Sequence, residues 1–186
     1  MSTVLCYGDS LTWGYDPQTV GRHAHGAPGP SVLATPLGPP RKELAAGQNG
    51  RPPADRWPSV LAKALGPDVN VIAEGLNGRT TAYDDHLADC ERNGVKLLPS
   101  VLESHKPLDL VILLLGTNDM KRGISGTAIG ATKGIDRLVK LIRHHDWGFG
   151  FEVPEILIVA PPAICDNWRN CCAVIGRRRC STSVDA

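Results

Sequence analysis

"TVLCYGDSLTWGY", residues 3–15, decides how the rest of this chain is read. Thr3-Val4-Leu5-Cys6 is an apolar run without helical period, and it breaks into Gly8-Asp9-Ser10. A short continuous apolar run that stops at glycine has the pattern of a strand buried on both faces. Such a strand ending in Gly-Asp-Ser presents a hydroxyl at the edge of a sheet. Ser10 is therefore a candidate nucleophile, and as a nucleophile it needs a base.

Three further runs have the same character: Val69 to Ala73, Asp109 to Leu115 and Glu155 to Ala160. Helical patterns lie between them. Trp57, Val60, Leu61, Ala64 and Leu65 recur at helical spacing, with Pro58 at the opening and Gly66 at the close. Leu97, Leu98, Val101, Leu102 and His105 share one face of a second helix. Ala131, Ile135, Leu138, Val139 and Ile142 make a third, whose basic ending Arg143-His144-His145 suits a helix C-terminus. The order βαβαβαβ predicts an α/β fold with a parallel, doubly wound sheet. Ligands of such sheets bind beyond the carboxyl ends of the strands. Gly8-Asp9-Ser10, the segment Glu74 to Arg79, Gly116-Thr117-Asn118-Asp119 and Pro161-Pro162 fall at those ends, and the first three are expected to converge on one small site.

The chain has 186 residues, 42% of them hydrophobic, which suits one domain with a continuous core. A net charge of +1 gives no electrostatic reason to expect nucleic acid or a membrane surface as partner. No basic segment leads into a cleavable apolar stretch, and no run approaches the length of a spanning helix, so a soluble, cytoplasmic protein is expected. Cys6 and Cys90 stand alone, whereas Cys165, Cys171, Cys172 and Cys180 crowd the last 22 residues. Without a secretory signal these do not read as a disulfide framework, and the spacing C-x5-C-C-x7-C lacks the paired knuckles of a zinc site.

Two regions break the pattern of the domain, which is expected to span 1–163. Residues 26–56 hold 7 prolines and 5 glycines and separate the first strand from its helix as an insertion. Within it, "PSVLATPLGPP" (30–40) matches "PSVLAKALGPD" (58–68) at 8 of 11 positions; Pro36 inside the first copy makes it read as a loop. After Ala163 the tail, 164–186, runs "ICDNWRNCCAVIGRRRCSTSVDA", with neither helical nor strand period. A closing strand and helix are not found there.

Acyl transfer needs a nucleophile, a base, and donors aimed at the oxygen that becomes negative. Ser10 supplies the first. The backbone N–H groups of Ser10 and Gly78, with the side-chain amide of Asn118, are candidates for the third. Each also has a plain structural reading: Ser10 as a cap, Gly78 as a turn former, Asn118 as a helix start. "GDSLTWG", "EGLNGRTT" and "LLLGTNDMK" resemble, in order and rough spacing, the first three signature blocks of the SGNH (GDSL) hydrolases. The pairing of Thr12-Trp13 with Arg79-Thr80-Thr81 is similar to the arylesterase and acyltransferase branch.

The resemblance covers residues 1 to about 25 and about 56 to 163. It implies a flavodoxin-like three-layer α/β/α sandwich, with Ser10 as nucleophile and with Gly78 and Asn118 completing an oxyanion hole. It also implies Tyr15 beside the acyl pocket, a small-molecule ester as substrate, no metal or cofactor, and the homo-oligomers common in this branch. The family's last block, Asp-x-x-His, does not occur in this sequence, and no histidine follows His145. His86, after Asp84-Asp85, is the alternative base, although neighbours in a loop rarely face each other; His23 and His25 sit in the insertion, and His105, His144 and His145 at helix ends.

A competing reading takes the change of composition near residue 164 as the mark of a disrupted reading frame, which would leave an impaired member of the family. A reading of another class makes Asp9 a phosphoryl acceptor, or the sheet a small-ligand or nucleotide-binding module. Against it, Leu11 stands where a second aspartate is normally needed, and neither G-x-G-x-x-G nor G-x4-G-K-[ST] is present.

Overall fold

The computed structural model describes residues 2–15 and 53–162. These belong to one compact unit formed by Met1–Tyr15 and Arg51–Ile164. The first repeat copy at 30–40, His23, His25 and the tail with its four cysteines lie outside the described residues.

Four strands, β1 (Ser2–Gly8), β2 (Val69–Gly75), β3 (Leu110–Leu114) and β4 (Glu155–Ile158), form one sheet in the order β2-β1-β3-β4. All three pairings are parallel. The helices are α1 (Ser10–Trp13), α2 (Trp57–Leu65), α3 (Gly94–His105) and α4 (Ala128–Arg143). The α/β class and parallel sheet expected from the sequence are thus present, and α2 begins at its proline turn and ends at Gly66. The second helix, which carries the expected face of Leu97, Leu98, Val101, Leu102 and His105, opens at Gly94, where the Asn93 side chain accepts a hydrogen bond from Val95 N–H and so caps it. Pro53–Asp55, at the end of the supposed insertion, forms a turn of 3-10 helix.

Alternation along β1 sorts its side chains into two layers. Leu5 and Tyr7 join Val111 and Leu113 of β3 under Leu98 and Leu102 of α3 and Leu138 and Ile142 of α4. Val4, Cys6 and Ile112 face the other way, against Trp57 and Leu61 of α2. Burial pushes the Cys6 thiol up to about 12, so this cysteine packs as an apolar residue. β4 departs from the expectation of strands covered on both faces: Leu157 and Ile158 are exposed. It pairs with β3 on one side, and no further strand joins it among the described residues. No helix of the described residues is long and apolar enough to cross a membrane.

Candidate active site

The chain leaves β1 through Gly8 and Asp9 and turns at once into α1, with Ser10 as its first residue. Asp9 is the N-cap, accepting a hydrogen bond from Leu11 N–H at 3.0 Å. The turn packs directly on the end of β2: a Cβ added to Gly75 would lie 2.3 Å from the Trp13 nitrogen, which only glycine permits. Trp57 of α2 donates from Nε1 to Thr12 Oγ1 at 3.2 Å and holds the turn from the other layer.

The loop after β2 folds back over the same end. Arg79 N–H donates to Leu76 C=O at 3.0 Å, and Gly78 at the third position of this turn has φ +80°, a left-handed conformation that a side chain disfavours. A Cβ at Gly78 would meet Arg92 at ordinary contact distance, so conformation rather than crowding calls for glycine here. Two bonds tie this loop to β1, Leu76 N–H to Gly8 C=O at 3.1 Å and Arg79 Nη1 to the same oxygen at 3.0 Å. Arg79 is buried with its guanidinium 4.0 Å over the Tyr7 ring. Burial lowers its pKa, and the neighbouring Tyr7, Glu74 and Asp9 work against that shift.

The loop after β3 supplies Asn118 and Asp119, both in a short 3-10 turn and both buried. Asn118 Nδ2 donates to Arg79 C=O at 3.1 Å and reaches Asp9 Oδ2 at 3.4 Å. Both Asp119 carboxylate oxygens accept from Thr81 N–H at 3.1 Å, and the Thr81 hydroxyl donates to Oδ1. Asp9 and Asp119 are both raised, chiefly by burial; Asp9 stands at about 6, lifted further by the charge of Asp119.

The structure therefore brings the loops of Ser10, Gly78 and Asn118 together at the carboxyl ends of β1, β2 and β3. Among the described residues the N–H groups of Ser10 and Gly78 donate to no protein acceptor. Tyr15 is exposed, one turn beyond Ser10, whose carbonyl accepts from its N–H at 2.8 Å. No described histidine is hydrogen-bonded to Ser10. His86 is exposed, and Asp84 beside it instead pairs with Lys96 at 2.7 Å and Asn93 at 2.7 Å. His105 lies 3.0 Å from Glu74, and His145 lies 2.9 Å from Glu103. Asp9 is fully buried and held by Leu11 and Asn118, so it presents no free oxygen to a phosphoryl group. Among the described residues no group of three or more His, Cys, Asp or Glu is arranged to hold a metal ion.

A second feature lies at the ends of β3 and β4. It is an open, apolar cleft of about 490 Å³ lined by Leu115, Met120, Ala131, Ile135, Ile158 and Val159, among others; Ser10, Gly78 and Asn118 do not line it.

The supporting roles of Asp9, Arg79, Thr81 and Asp119 escape a reading of the sequence, because each acts through a partner distant in the chain, 109 residues away for Asp9 and Asn118. The signal present was that all four lie inside the quoted blocks.

A sequence profile of the GDSL-like lipase/acylhydrolase family matches residues 6–175. A carbohydrate acetylesterase family member from Sinorhizobium meliloti is 56% identical, with a TM-score of 0.70, over 93% of this chain and 68% of its own. The native aryl esterase of M. smegmatis is 38% identical, with a TM-score of 0.67, over 87% of this chain and 65% of its own. A second carbohydrate acetylesterase from S. meliloti is 35% identical, with a TM-score of 0.65, over the same shares. The chain thus spans roughly two thirds of the length of these structures. Comparison with curated proteins finds no match.

Proposed function

Because the chain belongs to the GDSL-like lipase/acylhydrolase family, and so to the carboxylic ester hydrolases, we propose that it cleaves small esters through an acyl-enzyme on Ser10. In this reading Ser10 Oγ adds to the ester carbonyl carbon and its proton passes to an acceptor. The carbonyl oxygen becomes an oxyanion, which collapses to expel the alcohol with a proton. Water then adds to the acyl-enzyme and releases the acid, or a second alcohol takes the acyl group.

The observation that carries the reading is the donor set at the strand ends. Among the described residues the Ser10 and Gly78 N–H groups have no protein acceptor, and the long 3.4 Å contact from Asn118 to Asp9 is the one that an oxyanion would replace. The firmer 3.1 Å bond to Arg79 C=O keeps the amide oriented during the exchange. The substrate is a neutral small ester, in keeping with the net charge of +1, and nucleic acid and membrane have no part in the reaction. We assign the protein to the cytoplasm and take self-association into homo-oligomers as part of this reading. The names of the relatives support acetyl esters of sugars and of phenols as the first leaving groups to compare.

The test is hydrolysis of p-nitrophenyl acetate, with mass spectrometry of the Ser10 peptide after a brief exposure. Acetylation at Ser10 in the parent is the expected result, with its loss in Ser10→Ala. Hydrolysis unchanged in Ser10→Ala would end the proposal. Because no described histidine is hydrogen-bonded to Ser10, turnover of this chain is expected far below the roughly 10 per second of ordinary enzymes.

A further inference from the structure

Arg92 stands just before the N-cap of α3 and outside every quoted block, yet it touches the oxyanion loop. Its carbonyl accepts from Thr80 N–H at 2.9 Å, which pins its backbone beside the loop after β2. Its Nη1 donates to the Asn77 carbonyl, and its Nε lies 3.6 Å from where a Cβ on Gly78 would be. The Asn77 carbonyl and the Gly78 N–H belong to one peptide unit, so whatever holds the carbonyl also aims the N–H.

That peptide is the central one of the turn from Leu76 to Arg79, and the φ of +80° at Gly78 is that of a type II turn. A type I turn closes the same four residues with the central peptide rotated by about half a revolution. The two forms send the Gly78 N–H to opposite sides of the loop. A guanidinium donor on the Asn77 oxygen favours the type II orientation, and its charge polarises the peptide so that the N–H at the far end donates more strongly.

We propose that Arg92 is a positioning residue that holds and polarises the Asn77–Gly78 peptide, so that the Gly78 N–H points at the oxyanion. The inference rests on the acyl-enzyme reading above. Arg92 acts through the peptide and need not touch the substrate.

Two arms separate this proposal from that reading. In the first, the Gly78 amide resonance is followed in Arg92→Gln and Arg92→Lys by NMR, with no substrate present. A large shift in the Gln variant, partly restored by lysine, is expected; a Gly78 resonance unmoved in the Gln variant overturns the proposal whatever the activity. In the second, the parent and both variants are compared on p-nitrophenyl acetate and with a phenylboronic acid, whose tetrahedral adduct on Ser10 mimics the oxyanion. The expected fall in kcat for Arg92→Gln is about tenfold, less than the 10²–10³ for outright loss of a donor, with KM within about twofold and boronate affinity falling in step. A fall in kcat with boronate affinity unchanged would overturn the proposal, since the loss would then arise outside the oxyanion site. If the parent itself is not acetylated at Ser10, the functional reading fails and this inference with it.

Discussion

β1 and β4 are parallel strands of one sheet, both rich in apolar residues, and they end in different surroundings. Leu5, Cys6 and Tyr7 of β1 have no exposed surface, whereas Leu157 and Ile158 of β4 are 48% and 51% exposed. The difference lies in their neighbours. β1 has a strand on each side and helices over both faces, while β4 has β3 on one side. Their ends differ in the same way. Beyond β1, buried carboxylates, carbonyls and amides hold three loops in register; beyond β4, the chain borders an apolar cleft. Strand composition thus sets the tendency to pair, and place in the sheet decides what is buried.

The sharpest way to break this contrast is through activity. On the proposed acyl-enzyme reading, Ser10→Ala at the β1 end is expected to abolish ester turnover, whereas Ile158→Ala in the cleft, which Ser10, Gly78 and Asn118 do not line, is expected to leave it within about threefold. Comparable losses in both would put the cleft into the reaction. In stability, Leu113→Ala in the fully buried layer is expected to cost roughly 2–5 kcal/mol, and Leu157→Ala on the open strand less than about 1. Urea denaturation measures both, and equal costs would mean that β4 is covered in solution.

The buried carboxyls make the β1 end sensitive to pH. The folded pKa of Asp9, about 6, is above its ordinary value of 3.8, so the folded chain binds this proton more tightly than the unfolded one. Its stabilising effect is therefore complete below the ordinary value and is lost as pH rises through about 6, amounting to about 3 kcal/mol. Asp119 shifts in the same direction, while the exposed Asp84, Glu91 and Glu103 are lowered and work the other way. The test therefore compares Asp9→Asn with the parent between about pH 4 and 7, and the variant should lose most of the downward slope. An unchanged slope would assign it to other groups.

Smaller effects are expected at the loop after β2. Gly78→Ala places a side chain at φ +80°, costing about 1–2 kcal/mol; relaxation of the turn should lower kcat by more than the loss of stability explains. His86→Ala should change neither rate nor stability, because His86 is exposed and bonded to no catalytic group. A collapse of turnover in that variant would reveal a base that the geometry does not show.

Much of this was legible in the residues. The four apolar runs, the proline and glycine that bound α2, and the basic end of α4 are local signals, read from neighbours three or four positions apart. The loops of Ser10, Gly78 and Asn118 were legible too, because each follows directly on an apolar run. The exposure of β4 was not: an apolar run carries no mark of whether another strand will lie beside it. Neither were the partners of Asp9, Arg79 and Asp119, since an aspartate at a strand end reads equally as a cap, a solvated charge or a nucleophile.

The sequence by itself determined the kind of elements, their order, and through that order the end of the sheet where polar loops gather. Backbone periodicity and turn chemistry are short-range, so they act before the chain has folded. Only the tertiary structure decided that the Asp9 carboxylate faces Asn118, that Asp119 clasps Thr81, and that Arg92 reaches the peptide before Gly78. These contacts join residues 15 to 109 positions apart. Their geometry follows from the register of parallel strands and the packing of helices over them, and no local pattern in the chain encodes it.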